Sequence, residues 1–274
     1  AVKITPAHDP NDFEIGKRHN LKPIQVIGFD GTMINVPQHY MGLDIETARK
    51  RVLTDLEIEE LRRGESEIEH TVGYDYKSGL PIQPMIKDQW FIKVKPLAKR
   101  AIEILERGEI NFTPEHKRSV LIEYLKNLRD WNISRQIPWG IPIPAFVNKE
   151  DPTDWIFDTR VDQKTLSING KTYLREEDTF DTWFSSGQWP YITTDALEQG
   201  SKLSKFYPTS VMGTGADILF PWISRMIMLG LYRTGKIPFK DTYFNGLVLD
   251  ENGQKMSKSK GNVINPIEIL SQYG

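Results

Sequence analysis

The densest run of chemistry-bearing residues is Gly253-Gln254-Lys255-Met256-Ser257-Lys258-Ser259-Lys260-Gly261-Asn262. Lysines alternate there with small or flexible residues, and a glycine stands near each end. Glycine and serine let a backbone approach a ligand closely, and an ammonium on a flexible stem is a mobile charge suited to phosphate. A lysine–serine run is in general a solvated basic loop. Here the run follows an apolar stretch from Tyr243 to Leu249 and precedes Asn265-Pro266, an asparagine cap with proline at the first helical position. Strand, basic loop and helix in that order predict a loop that can swing its lysines onto a ligand.

A second cluster, Pro6-Ala7-His8-Asp9-Pro10-Asn11-Asp12, gathers one histidine and two acids. Such a set could hold a divalent metal, but Asp-Pro and Asn-Asp are also routine turn chemistry, and on composition alone the turn is the better explanation. Arg135 lies close in sequence to Trp131 and Trp139 and could stack or bind phosphate. Taken alone, a structural arginine is the commoner case. Gly213-Thr214-Gly215-Ala216-Asp217 follows a strand, Ser210 to Met212, and precedes a helix carrying Ile218, Leu219, Trp222, Ile223, Met226, Ile227 and Leu229. Strand, Gly-rich turn and helix suggest a Rossmann-type βα unit, although a lone Gly-x-Gly is a weak signal.

The elements that must position these groups are legible in part. Asp44 caps a predicted helix from Ile45 to Arg63, whose Ala48, Val52, Leu53, Leu56 and Leu61 form a core-facing stripe. Residues 70–95 read as short strands around a turn at Tyr76-Lys77-Ser78-Gly79. A helix carries Leu97, Ala101, Ile104 and Leu105. The next has Thr113 as cap, Pro114 at its first position, and Val120, Leu121, Tyr124, Leu125 and Leu128 inward. Residues 147–178 are polar and predict a surface insertion, with Asn169-Gly170 at the tip of a tight hairpin. Thr242 to Leu249 supplies the strand before the lysine loop, and no internal repeat is visible.

The composition bounds the answer. The chain has 274 residues, 39% hydrophobic and 26% charged, with a net charge of −2. These are globular values, and no global basic field marks a nucleic-acid binder, so any nucleic-acid contact must come from local patches. There is no cysteine, which excludes disulfides and thiolate metal ligands. No apolar run approaches the roughly 18–20 residues of a membrane span, and no signal peptide opens the chain, so a cytoplasmic protein is expected. The chain starts at Ala1 in a strand-like segment and stops at Gly274 just inside a helix, which reads as an internal segment of a longer protein.

With these stretches in view, the chain closely resembles the valyl-tRNA synthetases, a family of class I aminoacyl-tRNA synthetases. The resemblance runs along nearly all of it. It is carried by Lys3-Ile4-Thr5-Pro6-Ala7-His8-Asp9-Pro10-Asn11-Asp12, by the block Asp130 to Pro142 and by Asp181-Thr182-Trp183-Phe184-Ser185-Ser186. Gly215-Ala216-Asp217-Ile218 with Trp222 adds to it, as does Lys255-Met256-Ser257-Lys258-Ser259. Isoleucyl relatives usually carry an acid where Ser185 stands and an Asp-Gln-His run where Asp217-Ile218-Leu219 stands, which makes them the second choice.

The resemblance implies an α/β fold. Residues 1–70 would be the C-terminal part of the inserted editing domain, and residues 71–274 the C-terminal half of the Rossmann-type catalytic domain with a small connective module. It implies ATP-dependent activation of valine, transfer to tRNA(Val) and hydrolytic editing of threonyl-tRNA, by an enzyme monomeric at full length. The family's His-x-Gly-His half and its anticodon domain lie outside these residues, so the fragment alone is expected to be inactive. Lys255 and Lys258 would be catalytic, with Mg2+ on the phosphates. Asn245, Gly246, Val248, Lys255, Met256, Ser257, Lys258 and Ser259 would contact ATP. Asn245 stands where a histidine is more usual. Asp217 would hold the α-ammonium of valine, with Trp183, Ile218 and Trp222 walling its side chain. Pro221, unusual in the family, would sit in the first helical turn. Lys3, Asp9 and Asp12 would serve editing. Relatives that bind zinc in the connective module use cysteines, and here Tyr74-Asp75-Tyr76 and Phe146-Val147-Asn148 occupy that neighbourhood, so no zinc is expected. A non-activating editing or tRNA-binding paralogue is the alternative in another class.

Overall fold

The computed structural model of the chain describes residues 3–69, 71–75, 78–257 and 261–274, and the chain divides into two compact units, Ala1–Asp88 and Gln89–Gly274. The first unit is sparse. Helix α1 (Pro10–His19) begins on Asp9 and Pro10 and closes on Asn20, which is left-handed at φ 53°. Helix α2 (Ile45–Ile58) is capped by Asp44, whose carboxylate accepts from Thr47 N at 2.9 Å. The sequence predicts this helix to Arg63, but it stops earlier. Glu60 turns left-handed at φ 58°, Leu61 N donates to Leu56 O at 2.9 Å and Glu60 N to Glu57 O at 3.0 Å. That is a C-terminal motif normally built on glycine, which is why composition did not reveal it. The apolar stripe is not a core face either, because only Ala48 is buried while Val52, Leu53 and Leu61 are exposed. Of the strands expected between 70 and 95, the first unit keeps one antiparallel bridge, Tyr74 to Pro81, beside the left-handed Gly79. Tyr76 and Lys77 lie outside the described residues.

The second unit opens with strand β1 (Phe91–Ile92), helix α3 (Lys95–Glu106), strand β2 (Asn111–Thr113) and helix α4 (His116–Lys126). Thr113 and Pro114 were expected as the cap and first turn of α4. Instead Thr113 ends β2, the bond to Pro114 is cis, and the helix begins at His116. Leu121 and Leu125 point inward as expected, whereas Val120 is exposed. Short strands β3 (Trp131–Asn132) and β4 (Ser134–Arg135) follow; β3 pairs with β1.

The polar stretch folds as its own antiparallel sheet of β5 (Ala145–Asn148), β6 (Trp155–Phe157), β7 (Thr165–Ile168) and β8 (Lys171–Arg175), in the order β6-β5-β8-β7. Asn169 and Gly170, both with positive φ (52° and 77°), join β7 to β8. A two-residue turn of that kind twists in the sense the strands require, which is what the Asn-Gly pair predicts. Phe146, Leu166 and Tyr173 make a small core. Asp154 ties the same end of the sheet, accepting from Lys171 Nζ at 2.7 Å, Asn148 Nδ2 at 2.9 Å and the Tyr173 hydroxyl at 3.1 Å.

Strand β9 (Thr179–Phe180) pairs with β4 and runs into helix α5 (Thr182–Ser186), then α6 (Trp189–Thr193). Strand β10 (Thr209–Gly215), helix α7 (Ser224–Thr234) and strand β11 (Phe239–Asn245) form a βαβ unit in which the strands are parallel. With β2, also parallel to β11, they make a three-stranded sheet ordered β10-β11-β2. This is the Rossmann-type unit that the Gly-rich turn suggested. Helix α7 is buried from Ser224 to Leu231, and Met226, Ile227 and Leu231 pack with Ala101 and Leu105 of α3, Leu121 of α4, and Phe112, Met212 and Phe239 of the sheet. Gly235, left-handed at φ 75°, ends the helix. Helix α8 (Pro266–Tyr273) starts on the predicted Asn265 cap, 3.1 Å from Ile267 N.

The Asp154 cluster has a pH consequence. Hydrogen bonds from Lys171 and Asn148 hold its carboxyl below the ordinary carboxylate range. A folded-state value below the unfolded one, about 3.9, adds stability that is present above the unfolded value and lost as pH falls through the folded one. The β5–β8 sheet of the wild-type chain should therefore weaken more steeply below about pH 4 than that of Asp154→Asn. Urea midpoints followed at β8 amides between pH 6 and 3 check this; parallel curves for the two proteins would contradict it.

Candidate active site

In open parallel sheets, ligands sit beyond the carboxyl ends of the strands. In this sheet Gly215 of β10 stands in register with Asn245 of β11, so the residues that follow leave the sheet side by side. From β10 comes Asp217, in a single 3-10 turn, Ala216–Ile218. The Asp217 carboxylate folds back over Gly215, so a side chain there would push that carboxylate away. A Cβ there would meet Asp217 Oδ1 at 2.6 Å and Leu247 Cδ2 at 3.3 Å.

The apolar run after Tyr243 was expected to continue the strand to Leu249. The strand instead ends at Asn245, and Leu247, Val248 and Leu249 are exposed. Asn245 Nδ2 donates to Gly246 O at 3.1 Å, and a side chain at Gly246 would meet only open space. The lysine loop then turns on Asp250. Its Oδ1 accepts from Asn252 N at 3.0 Å and Gln254 N at 2.7 Å, and its Oδ2 accepts from Asn262 Nδ2 at 2.7 Å. Asn262 Oδ1 in turn accepts from Ser257 N at 2.8 Å. Asp250 and Asn262 thus close the base of the loop, a role the sequence reading did not assign. The signal was present in Asp250-Glu251-Asn252-Gly253, which is ordinary turn chemistry.

From this loop Lys255 reaches across the strand ends, its Nζ 2.5 Å from Asp217 Oδ2. The two residues singled out for opposite charges are therefore in contact. The lysine side chain is 65% exposed and the aspartate 31%, so the pair is weak, worth about 0–1 kcal/mol. Met256 and Ser257 are half-buried beside it. Lys258 and Ser259 lie outside the described residues.

The two tryptophans expected to wall the amino-acid pocket lie on different elements. Trp183 lies in α5, which Asp181 caps, and packs against Val94, Tyr191 and Leu229. Trp222 lies in a wide turn, Leu219–Ile223, where Ser224 N donates five residues back to Leu219 O. Pro221 sits in that turn, ahead of α7 and not in the first turn of a regular α-helix. Trp222 Nε1 donates to Ser186 O at 3.0 Å, which fastens the wide turn to α5. Both rings and Ile218 are half-buried. Arg135 is structural: it pairs with Asp181 Oδ2 at 3.1 Å and donates to the carbonyls of Asn132 and Ser134 at 3.1 and 2.8 Å.

The second candidate cluster lies in the first unit. Asp9 Oδ1 caps α1 through Asn11 N and Asp12 N, at 2.8 and 2.9 Å. Asp12 Oδ2 accepts from Thr5 N at 2.7 Å and the Thr5 hydroxyl at 3.2 Å. His8 Nε2 accepts from Val26 N at 2.9 Å, which assigns the proton to Nδ1, 3.0 Å from Pro84 O. Lys3 is exposed. Each of the two acids helps to shape the turn.

The fold is a Rossmann-type α/β unit, and the family comparison narrows it. The chain belongs to the tRNA synthetases class I (I, L, M and V), which match residues 43–274. Within that family its curated relatives include valine–tRNA ligases. The one from Fusobacterium nucleatum subsp. nucleatum is 42% identical over 281 residues, covering 100% of this chain and 31% of the relative. The one from Treponema denticola is 43% identical over 274 residues, covering 100% and 30%. The chain therefore spans about a third of the length of the curated relatives it matches. Among solved structures, a Mycobacterium tuberculosis methionyl-tRNA synthetase in complex with methionyl-adenylate aligns at a TM-score of 0.49. It is 19% identical, over 73% of this chain and 34% of that one.

Proposed function

We propose that the chain supplies the second half of the catalytic domain of a valine–tRNA ligase, within residues 71–274, and the C-terminal part of its editing domain, within residues 1–70. The observation that carries the catalytic reading is the contact between Lys255 and Asp217 at the ends of adjacent parallel strands. It places a carboxylate that accepts an ammonium beside a lysine on a loop, the pair of charges that a zwitterionic amino acid and a nucleotide triphosphate require.

In the proposed reaction a carboxylate oxygen of valine attacks the α-phosphorus of ATP. The bond to the bridging oxygen breaks, and pyrophosphate leaves with the electron pair; the valyl group then passes to tRNA(Val), releasing AMP. Asp217 holds the substrate ammonium while Trp183, Ile218 and Trp222 wall the isopropyl group, and rigid aromatic walls oppose entry of one more methylene. Asn245, Gly246 and Val248 line the strand end where adenosine is held. There the open space over Gly246 admits a ring close to the backbone. Lys255, and Lys258 with it, neutralise charge that grows on the leaving pyrophosphate. Mg2+ travels with the phosphates. Among the described residues no group of three or more His, Asp or Glu forms a metal cage, so no side chain of this chain is assigned to it.

A pocket sized for valine rejects threonine poorly, because threonine has the same shape with a hydroxyl added. Hydrolysis of threonyl-tRNA is the remedy, and Lys3, Asp9 and Asp12 are the residues assigned to it. Support for this part is the family resemblance of the Lys3–Asp12 stretch. Their capping bonds engage one oxygen of each acid and are compatible with a ligand on the other.

In a full-length enzyme carrying this segment, Lys255→Ala should lower valine-dependent pyrophosphate exchange on the order of 100-fold with little change in valine KM, because its partner charge appears at the transition state. Normal turnover with a raised valine KM would contradict the role. The editing assignment predicts that Asp9→Asn activates valine normally but deacylates threonyl-tRNA at least tenfold more slowly, since a charge-assisted bond to the bound threonyl group is lost. Asparagine keeps the cap. Wild-type deacylation by this variant would leave Asp9 a turn residue only.

A further inference from the structure

Helix α5 is only five residues long, Thr182–Ser186, too short to hold its own position. Yet one pocket wall, Trp183, lies in it, and the other, Trp222, hangs from its last carbonyl at Ser186. What fixes α5 therefore fixes both walls. Asp181, 5% exposed, is the residue on which the fixings converge. Its Oδ1 caps the helix at Trp183 N, 3.4 Å away, and its own amide donates to Ile133 O at 2.7 Å. Its Oδ2 accepts from Trp131 Nε1 at 2.9 Å and pairs with Arg135 Nη2 at 3.1 Å.

Trp131 extends the bracket to the core helix. The guanidinium of Arg225, on α7, lies over its ring at 4.2 Å, although Arg225 is only 8% exposed. Among the described residues its Nε and Nη1 have no hydrogen-bond partner, so the Trp131 ring, Tyr124 and the Asp181 charge are what offset the burial of the cation. Burial pushes this guanidinium down from its ordinary value, and Tyr124 and then Asp181 push it back up. The far end of α5 rests on the same arginine. A Cβ at Gly187 would meet Arg225 Cβ, Leu229 Cδ1 and Trp183 O, each at 3.0 Å, so only glycine lets α5 lie this close to α7.

We infer that Asp181 is a positioning residue for amino-acid selection: held by Trp131 and Arg135, it sets α5 and hence the spacing of Trp183 and Trp222. This rests on the reading of those tryptophans as the walls of the valine pocket. A negative charge is needed, not shape alone, because Asp181 pairs with the Arg135 guanidinium directly and has the Arg225 guanidinium beyond the Trp131 ring. An asparagine in its place could accept one bond but could not balance those cations.

The test is pyrophosphate exchange with valine, isoleucine and alanine by a full-length enzyme carrying this segment. Asp181→Asn should lower kcat/KM for valine on the order of tenfold and shift the isoleucine-to-valine ratio at least threefold, with ATP KM unchanged. Trp131→Phe keeps the ring under Arg225 and removes only the donor to Asp181. It should shift the ratio in the same direction by less, and it serves if the aspartate variant does not fold. Asp181→Glu should restore part of the selectivity. An equal loss for all three amino acids, or an unchanged ratio in both variants, would overturn the inference and leave Asp181 a stability residue. Trp183→Ala and Trp222→Ala run alongside as controls. If they change the ratio and the Asp181 and Trp131 variants do not, positioning fails while the pocket reading stands. If none of the four changes it, the pocket reading itself fails.

Discussion

The parallel register of β10 with β11 is the constraint on which the rest of the second unit depends. Pairing Gly215 with Asn245 ends both strands at one level, so Asp217 and the approach to the lysine loop emerge together. A slip of β10 by one residue would turn Met212 out of the core and move Asp217 away from the neighbouring strand end. The register is enforced by the helix between the strands. From Ser224 to Leu231 α7 is buried all round, and its apolar residues meet α3, α4 and the sheet together. Burying side chains of that size yields roughly 1.5–3 kcal/mol each before entropy is counted, far more than any exposed ion pair in the molecule contributes.

That contrast sorts the second unit into parts held firmly and parts held lightly. Trp183 and Trp222 are tied to one another through α5, and α5 to the core through Asp181, Trp131 and Arg225. Lys255, by contrast, meets Asp217 through an exposed side-chain contact, on a loop that Asp250 and Asn262 tie at its base. On the proposed reading, walls that exclude a methylene need rigidity, whereas a lysine that meets charge on a leaving group needs travel. The distribution of buried and exposed polar contacts matches those two demands.

How much of this was legible in the sequence depended on whether the signal was local. The Asn169-Gly170 hairpin, the Asn265 cap of α8 and the βαβ unit around Gly215 were readable because turn, cap and period chemistry act over a few residues. The end of α2 at Ile58 was not, since Glu60 takes a left-handed position that glycine normally marks. Nor was the early stop of β11, because Leu247 to Leu249 are apolar yet exposed. The Thr113-Pro114 pair looked like a helix start and instead closes a strand. Asp217 and Lys255 were named through the family resemblance, but their contact spans 38 positions and is visible only in three dimensions. Asp181 was quoted only as the start of a motif, since its partners Trp131 and Arg135 come from a distant strand pair.

The measurement that bears most directly on this account is valine binding by calorimetry, without ATP, to a full-length enzyme carrying this segment and to its Asp217→Asn variant. If Asp217 holds the substrate ammonium, removing its charge should weaken valine binding at least tenfold while nucleotide binding stays as it was, a charged hydrogen bond being worth about 1.5–3 kcal/mol. Equal valine affinity in the two proteins would contradict the assignment and would make the Asp217–Lys255 pair merely a strand-end contact.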